Sequence, residues 1–416
     1  MVDPAPLVSV LLPTRNRLEY LRYAIETVRR QGDGDWELVV SDNDSAEDIE
    51  GHVRSLGDDR IRYVRTAAFV PVTENWNNAL AHSRGRYVVM LGDDDGLMPG
   101  YVGAIRGLAQ RFADPDVIYQ SGWLFSYPGV QASEPEGFLQ AYGYATFLRG
   151  AREAFVLERA AAHKVVGHAM HFRARYGFNM QFSTVSRRLV ERLAPQGPFF
   201  QSAFPDYYAT NVAFLTARTI VVEPRPLVAI GVTPKSYGFF HLNADERAGK
   251  AFLGGAGADG HGPEPRLADM PGTNINTGWL SAVEAIAQRY PALAPAAPDR
   301  RRFRVLQAVH VYDGVLNGIV GDARRAELER HLQPWERALA RAGVGALALA
   351  RRRAPERLRR LFYSVVYALL LRQFVYWDPP KVRGRYMTLL DVFERPPAAP
   401  PVARNPLYER LRRTSV

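Results

Sequence analysis

The amino-acid sequence predicts an α/β protein in which a mainly parallel sheet is flanked by helices and followed by a largely helical C-terminal region. Two observations carry this. Between residues 7 and 100, short apolar runs alternate with segments whose apolar residues recur at helical spacing, and from Arg301 to Ala350 only the helical spacing persists. Strands alternating with helices imply a parallel sheet covered on both faces, with its loops gathered at one edge.

The elements follow in order. Leu7–Leu12 is a buried strand that breaks at Pro13-Thr14-Arg15-Asn16, and Leu18, Leu21, Ile25 and Val28 then mark one face of a helix. Trp36–Ser41 is the second strand, Asp42-Asn43-Asp44-Ser45 its polar exit, and Ile49, Val53 and Leu56 a second helix. A strand at Ile61–Val64 and a helix around Glu74–Ser83 lead to the fourth strand, Tyr87–Leu91. That strand ends in Asp93-Asp94-Asp95, followed by Gly96-Leu97-Met98-Pro99-Gly100. Carboxylates at the carboxyl end of a strand, where an open α/β sheet has its crevice, can hold a hard divalent cation and through it a substrate's phosphates. A solvated acidic turn is the plainer alternative. By topology, Pro13–Arg15, Asp42–Ser45 and Asp93–Asp95 line one crevice.

Composition narrows the chemistry. With 416 residues, 47% hydrophobic and 23% charged, the chain is a folded protein with room for more than one domain. It has no Cys, which excludes disulfides, thiolate metal sites and a Cys nucleophile, and leaves metal binding to oxygen ligands. The opening Met1–Pro6 shows no secretory signal pattern, so a cytoplasmic protein is expected. A formal charge of +10, carried largely by Arg, suits anionic partners. Nothing beyond charge points to a nucleic-acid reader.

Val8–Asn16, Val39–Ser45, Asn77 with Gly85-Arg86-Tyr87-Val88 eight residues on, and Asp93–Asp95 with Met98-Pro99 together resemble, in order and spacing, the family 2 glycosyltransferases of the GT-A fold. The likeness is strong over about residues 7–105, weaker to about 240, and absent beyond. It implies a metal-dependent inverting glycosyltransferase of the kind that serves polysaccharide biosynthesis, using a nucleoside-diphosphate sugar, Mg2+ or Mn2+, and an acceptor the sequence does not name. A nucleotide-sugar binding module without turnover and a nucleotidyltransferase are the alternatives.

The resemblance also implies roles. Pro13, Thr14, Arg15, Asn77, Asp42 and Asn43 fall on the nucleotide side, the last two near the base, although the family commonly has Asp where this chain has Asn43. Asp93 falls at the ribose and Asp94 on the metal, with Asp95 supporting the metal or donor sugar. Gly92 occupies the position of the family's first acid, a departure from its DXD motif. Asp206, after Gly197-Pro198-Phe199-Phe200 and at the head of a helix, matches the acceptor-activating base. A plain helix start is its other reading. Gly177–Val185 reads as the strand leading to that region. Lys235 or His241 would contact the diphosphate, or would be solvated loop residues.

This gives a glycosyltransferase domain over 1–245, with a nucleotide half at 1–110 and an acceptor half at 111–245. A flexible lid or linker at 246–300, a helical region at 301–395 and a disordered tail at 396–416 follow. His163, His168 and His171 match no metal motif, and the aromatics Trp123, Phe125, Tyr127, Phe138, Tyr142 and Tyr144 serve either core packing or sugar stacking. Leu361–Leu371, flanked by Arg, is shorter than the roughly 20 residues that span a bilayer. It reads as a core or oligomer helix, or as a peripheral contact with the inner face of the membrane.

Overall fold

The structure, a computed structural model, describes residues 4–236 apart from 132–133, 143–145, 149–150 and 174–176, then 270, 275–353 apart from 317–319, 355 and 380–398. Its elements are β1 (Val8–Thr14), α1 (Leu18–Arg29), β2 (Trp36–Asp42), α2 (Ile49–Ser55), β3 (Ile61–Arg65), α3 (Val72–Ala81), β4 (Tyr87–Met90), β5 (Gly96–Leu97), α4 (Tyr101–Arg111), β6 (Val117–Ser126), β7 (Phe138–Tyr142), β8 (Phe155–Leu157), α5 (Arg159–Met170), β9 (Ser183–Ser186), α6 (Arg187–Leu193), α7 (Pro205–Thr216) and β10 (Ile220–Val232). Helices α8 (Ile275–Arg289), α9 (Arg300–Leu316), α10 (Asp322–His331) and α11 (Pro334–Arg353) follow, and then β11 (Val382–Arg383) and α12 (Leu389–Glu394).

One sheet runs β11-β7-β6-β9-β4-β1-β2-β3, with β10 alongside β6. The pairs β3-β2, β2-β1 and β1-β4 are parallel, as the strand and helix alternation predicts. Beyond β4 the sheet is mixed, because β9 enters antiparallel to both β4 and β6. Strands β1, β2 and β4 are buried on both faces, which is why they read as continuous apolar runs rather than alternating ones. The edge strand β3 is only partly covered and carries Arg62 and Arg65, charges that discourage further pairing.

Register fixes the two edges of this half. Thr14 of β1 sits beside Asp42 of β2, and Asp42 beside Arg65 of β3, so three chain exits are level at the carboxyl edge. At the amino edge, buried Glu37 accepts hydrogen bonds through Oε1 from Ser9 Oγ (2.6 Å), Arg84 N (2.5 Å) and Gly85 N (3.1 Å). Gly85 comes so close to β1 that a Cβ would lie 2.5 Å from Ser9 Oγ.

The structure departs from the expected layout in three places. Within Gly177–Val185 only the last residues are strand, since Met180–Phe182 forms a 3-10 turn and Tyr119 Oη bonds both Gly177 N and O at 3.0 Å, holding that end off the sheet. Residues 382–394, expected within a helical region, instead return to the sheet. Here β11 pairs with β7, and α12 buries Leu389 and Val392 in a second core cluster with Met98, Trp123, Phe125, Tyr127 and Tyr386. Residues 275–289, expected within a flexible lid or linker, instead form helix α8, which buries Leu280, Val283 and Ile286 in the main core, while 246–269, 271–274, the run Leu361–Leu371 and residues 399–416 lie outside the described residues. No helix among the described residues is long and apolar enough to cross a membrane.

Candidate active site

The three acids after β4 meet different partners, and those partners separate their roles. Asp93 Oδ2 accepts from Thr14 Oγ1 at 2.8 Å, and its Oδ1 pairs with the Arg17 guanidinium. Asp94 Oδ2 accepts from Thr233 Oγ1 (3.2 Å) and from Ser236 Oγ, with Arg17 Nη2 at 3.5 Å. Its Oδ1 accepts no hydrogen bond from the described residues. Asp95 is turned into the protein, where Oδ2 takes Gly92 N (3.0 Å) and Gln181 Nε2 (2.5 Å) and Oδ1 takes Gly231 N (2.8 Å). The metal-supporting role expected of Asp95 is displaced by this structural one, in which it ties the acid loop to β10 and to the 3-10 turn before β9.

Sequence reasoning missed the groups that complete this cluster. Arg17 opens α1 and lies between Asp93 and Asp94, almost fully buried. Burial works to lower its pKa, but the charges of Asp93, Asp94 and Asp95 outweigh it and raise it, so the guanidinium stays charged. Burial also pushes Asp93 up to about 6 against the opposing pull of Arg17. Asp95 is raised well above the usual carboxylate range, first by burial and then by the charge on Asp94. Thr233 and Ser236 arrive from the turn after β10. Near the end of β10 itself, Gly231 passes so near the acid loop that a Cβ would lie 1.7 Å from the Asp94 carbonyl oxygen, which only glycine permits. The one sequence signal for Arg17 was its place directly after the Pro13–Asn16 loop.

The loop after β2 is internally satisfied. Asp42, fully buried, accepts from Ser45 N (3.0 Å), Tyr63 Oη (2.7 Å) and Arg65 Nη1 (3.1 Å). The Asn43 amide faces the Val70 peptide, donating to its carbonyl at 2.8 Å and accepting from its N–H at 2.9 Å. Asn43 therefore shapes the segment between β3 and α3 rather than presenting a free amide to a base. Asn77, expected on the nucleotide side, donates to Phe200 O (2.8 Å) and accepts from Phe200 N (3.2 Å), anchoring the turn before α7 to α3. Arg15 is exposed and stacks over the Phe69 ring at 4.1 Å, while Pro13, next to last in β1, lies beside Ser41.

That turn also carries the remaining candidate. Thr73, in the first turn of α3, donates to Ser202 O at 2.7 Å, which brings the start of α7 to the sheet's carboxyl edge. Asp206 lies in the first turn of α7, its Oδ1 accepting from Tyr207 N at 3.0 Å. Burial raises its carboxyl to about 7, although the side chain keeps some solvent access and the Tyr207 N–H partly offsets the rise. Lys235 Nζ pairs with Glu19 (3.1 Å) and donates to Asn16 O (3.3 Å), closing the β10 turn over the β1 loop. His241 and Tyr144 lie outside the described residues. The His171 ring bonds the Gly167 carbonyl of its own helix, and most of the candidate stacking aromatics are core. Among the described residues no three His, Asp or Glu side chains converge on one point.

Residues 9–171 match the model of Glycosyl transferase family 2. This segment is similar to family 2 glycosyltransferases. Over 98 residues the chain is 38% identical to the GalNAc(5)-diNAcBac-PP-undecaprenol beta-1,3-glucosyltransferase of Campylobacter jejuni, covering 23% of this chain and 32% of that protein. Over 89 residues it is 30% identical to the UDP-Glc:alpha-D-GlcNAc-diphosphoundecaprenol beta-1,3-glucosyltransferase WfgD of Escherichia coli, covering 21% and 35%. The matched segments thus span about a third of the length of these curated relatives. Among solved structures, S. aureus TarS 1-349 in complex with UDP superposes with a TM-score of 0.45 at 13% identity, over 84% of this chain and 92% of that one.

Proposed function

We propose that the protein transfers a sugar from a nucleoside-diphosphate donor to a hydroxyl acceptor, with inversion and with the help of Mg2+ or Mn2+. One observation carries the reading: Thr14, Arg17, Thr233 and Ser236, from two distant segments, all converge on Asp93 and Asp94 at the carboxyl edge of the sheet. An acidic turn that was merely solvated would have no need of these partners.

The donor set fits a hard cation. It is all oxygen, and Asp94 keeps one carboxylate oxygen unclaimed by the described residues. Mg2+ commonly takes only one or two protein carboxylates and completes its shell with substrate phosphates. Asp94 is the ligand of choice because its contact to Arg17 is the long one, 3.5 Å, whereas Asp93 is held by Thr14 and Arg17 together. The bound cation would neutralise charge growing on the departing diphosphate.

The chain's own groups supply the rest. Asp93, fixed by Thr14, would accept from the ribose, and the Asp42–Asn43 loop would form the wall beside the base. Arg17 holds positive charge at the acids before a donor arrives. Lys235, on the turn that covers them, would face the diphosphate. Asp206, with a carboxyl near 7, has the affinity a general base needs at neutral pH to take the acceptor's proton. The named acceptors of the Campylobacter jejuni and Escherichia coli relatives are diphosphate-linked undecaprenol sugars, which supports a lipid-linked acceptor and a place at the inner face of the membrane. The test is transfer from a panel of UDP and GDP sugars with and without Mn2+. Donor hydrolysis or transfer that requires the metal and Asp94 is the expected result, and a panel that yields no turnover with any donor overturns it.

A further inference from the structure

Helix α11 presents its apolar residues to solvent. Trp335 is 53% exposed, Leu339 44% and Leu349 55%, values at which a soluble helix ordinarily shows charge. Ala338, Ala342 and Gly345 are exposed between them, and the stripe contains no acid and no base. Steps of four and three residues place Trp335, Leu339, Ala342, Ala346 and Leu349 on one side of the helix. The opposite side is the packed one, where Glu336, Ala340 and Val344 are buried and Glu336 pairs with Arg304 of α9.

The border of the stripe is cationic. Arg341 flanks it, exposed although paired with Glu329. Arg337 on the same flank and the exposed Arg330 at the end of α10 make no ion pair among the described residues. The sequence closes the helix with Arg351-Arg352-Arg353. An apolar face headed by Trp and flanked by Arg341 and Arg337 has the pattern of a helix lying in a bilayer interface, with phosphates meeting the guanidinium groups. A second copy of this chain fits worse, because a two-fold contact across the stripe would bring the two Arg borders together while Glu329 is already engaged by Arg341.

We infer that the exposed face of α11 from Trp335 to Leu349 docks on an anionic lipid surface. The inference rests on this face alone and stands whether or not the proposed sugar transfer is correct. The test uses the full chain with vesicles of phosphatidylglycerol and phosphatidylcholine, against vesicles of phosphatidylcholine alone. Flotation with the anionic vesicles only, weakening as salt is raised, is expected. Leu339→Asp with Leu349→Asp, both on solvent-facing positions, should weaken the partition by roughly tenfold or more while leaving the circular dichroism and melting temperature unchanged. Brominated phosphatidylglycerol should quench tryptophan fluorescence in the parent, and Trp335→Phe should remove that quenching. The inference is overturned if the parent ignores anionic vesicles, if the double variant floats as well as the parent, if quenching survives Trp335→Phe, or if the chain is a dimer that the double variant splits with no vesicle binding in either.

Discussion

Replacing Asp206 by Asn tests the acceptor half of the site through two independent readouts. The carboxyl near 7 stands about three pH units above an ordinary Asp, and at about 1.4 kcal/mol per unit the ionised form is disfavoured by at most about 4 kcal/mol. Residual solvent access reduces this to on the order of 2 kcal/mol. Folded protein holds this proton more tightly than unfolded chain, so stability falls as pH rises from about 4 to about 7 and the full penalty stands above that. Asn cannot ionise. The variant should therefore match the parent in urea unfolding near pH 4 and exceed it by roughly 2 kcal/mol at pH 8. In the parent, kcat/KM for sugar transfer should rise through pH 7 to a plateau, while Asp206→Asn should lose roughly 100-fold to 10000-fold, with that pH limb gone. Activity within about threefold of the parent would refute the role as base, and equal stability of the two proteins at pH 8 would refute the burial argument.

Other changes separate the remaining parts. Arg17→Met strips the counter-charge from two buried acids and should cost about 3 kcal/mol or more in urea unfolding, since an uncompensated buried charge is left behind. Gly231→Ala places a methyl group against the Asp94 carbonyl and should destabilise by about 3 kcal/mol or fail to fold, whereas Gly103→Ala, on an open face of α4, should be close to neutral. Asp94→Asn, or removal of the metal with EDTA, should depress transfer roughly 100-fold, and Mn2+ electron paramagnetic resonance with UDP present should show weakened binding in the variant. Asn43→Ala frees the segment at Val70 and should raise the donor KM by about tenfold with little change in kcat.

How much was legible in the sequence follows from the range of the interactions involved. Strands β1, β2 and β4 are buried on both faces, so their apolar runs announced them, and the loops behind them had to share an edge once the strands were parallel. Local chemistry thus brought Thr14, Asp42 and the acids to one crevice. Their partners were not legible. Arg17 lies 76 residues from Asp93, and Ser236 lies 142 residues from Asp94. Nothing in either stretch encodes the encounter. Likewise an Asn reads the same whether it faces a ligand or a peptide, so the engagement of Asn43 with Val70 and of Asn77 with Phe200 needed coordinates. The return of α12 to the first domain was hidden because Leu389, Val392 and Phe393 look like any short amphipathic helix until Met98 and Tyr127 are seen beneath them.

The weld between Gly231 and the acid loop governs where this protein can be cut. A fragment stopped at residue 171, the limit of the family match, would be made without Gln181, Gly231, Thr233 and Ser236. Its aspartates would keep Arg17, the Thr14 hydroxyl and the Gly92 amide, and would lose the four partners supplied from beyond residue 171. During synthesis the same shortage lasts until the ribosome has released the turn after β10, so the crevice is assembled late although its first strand is made early.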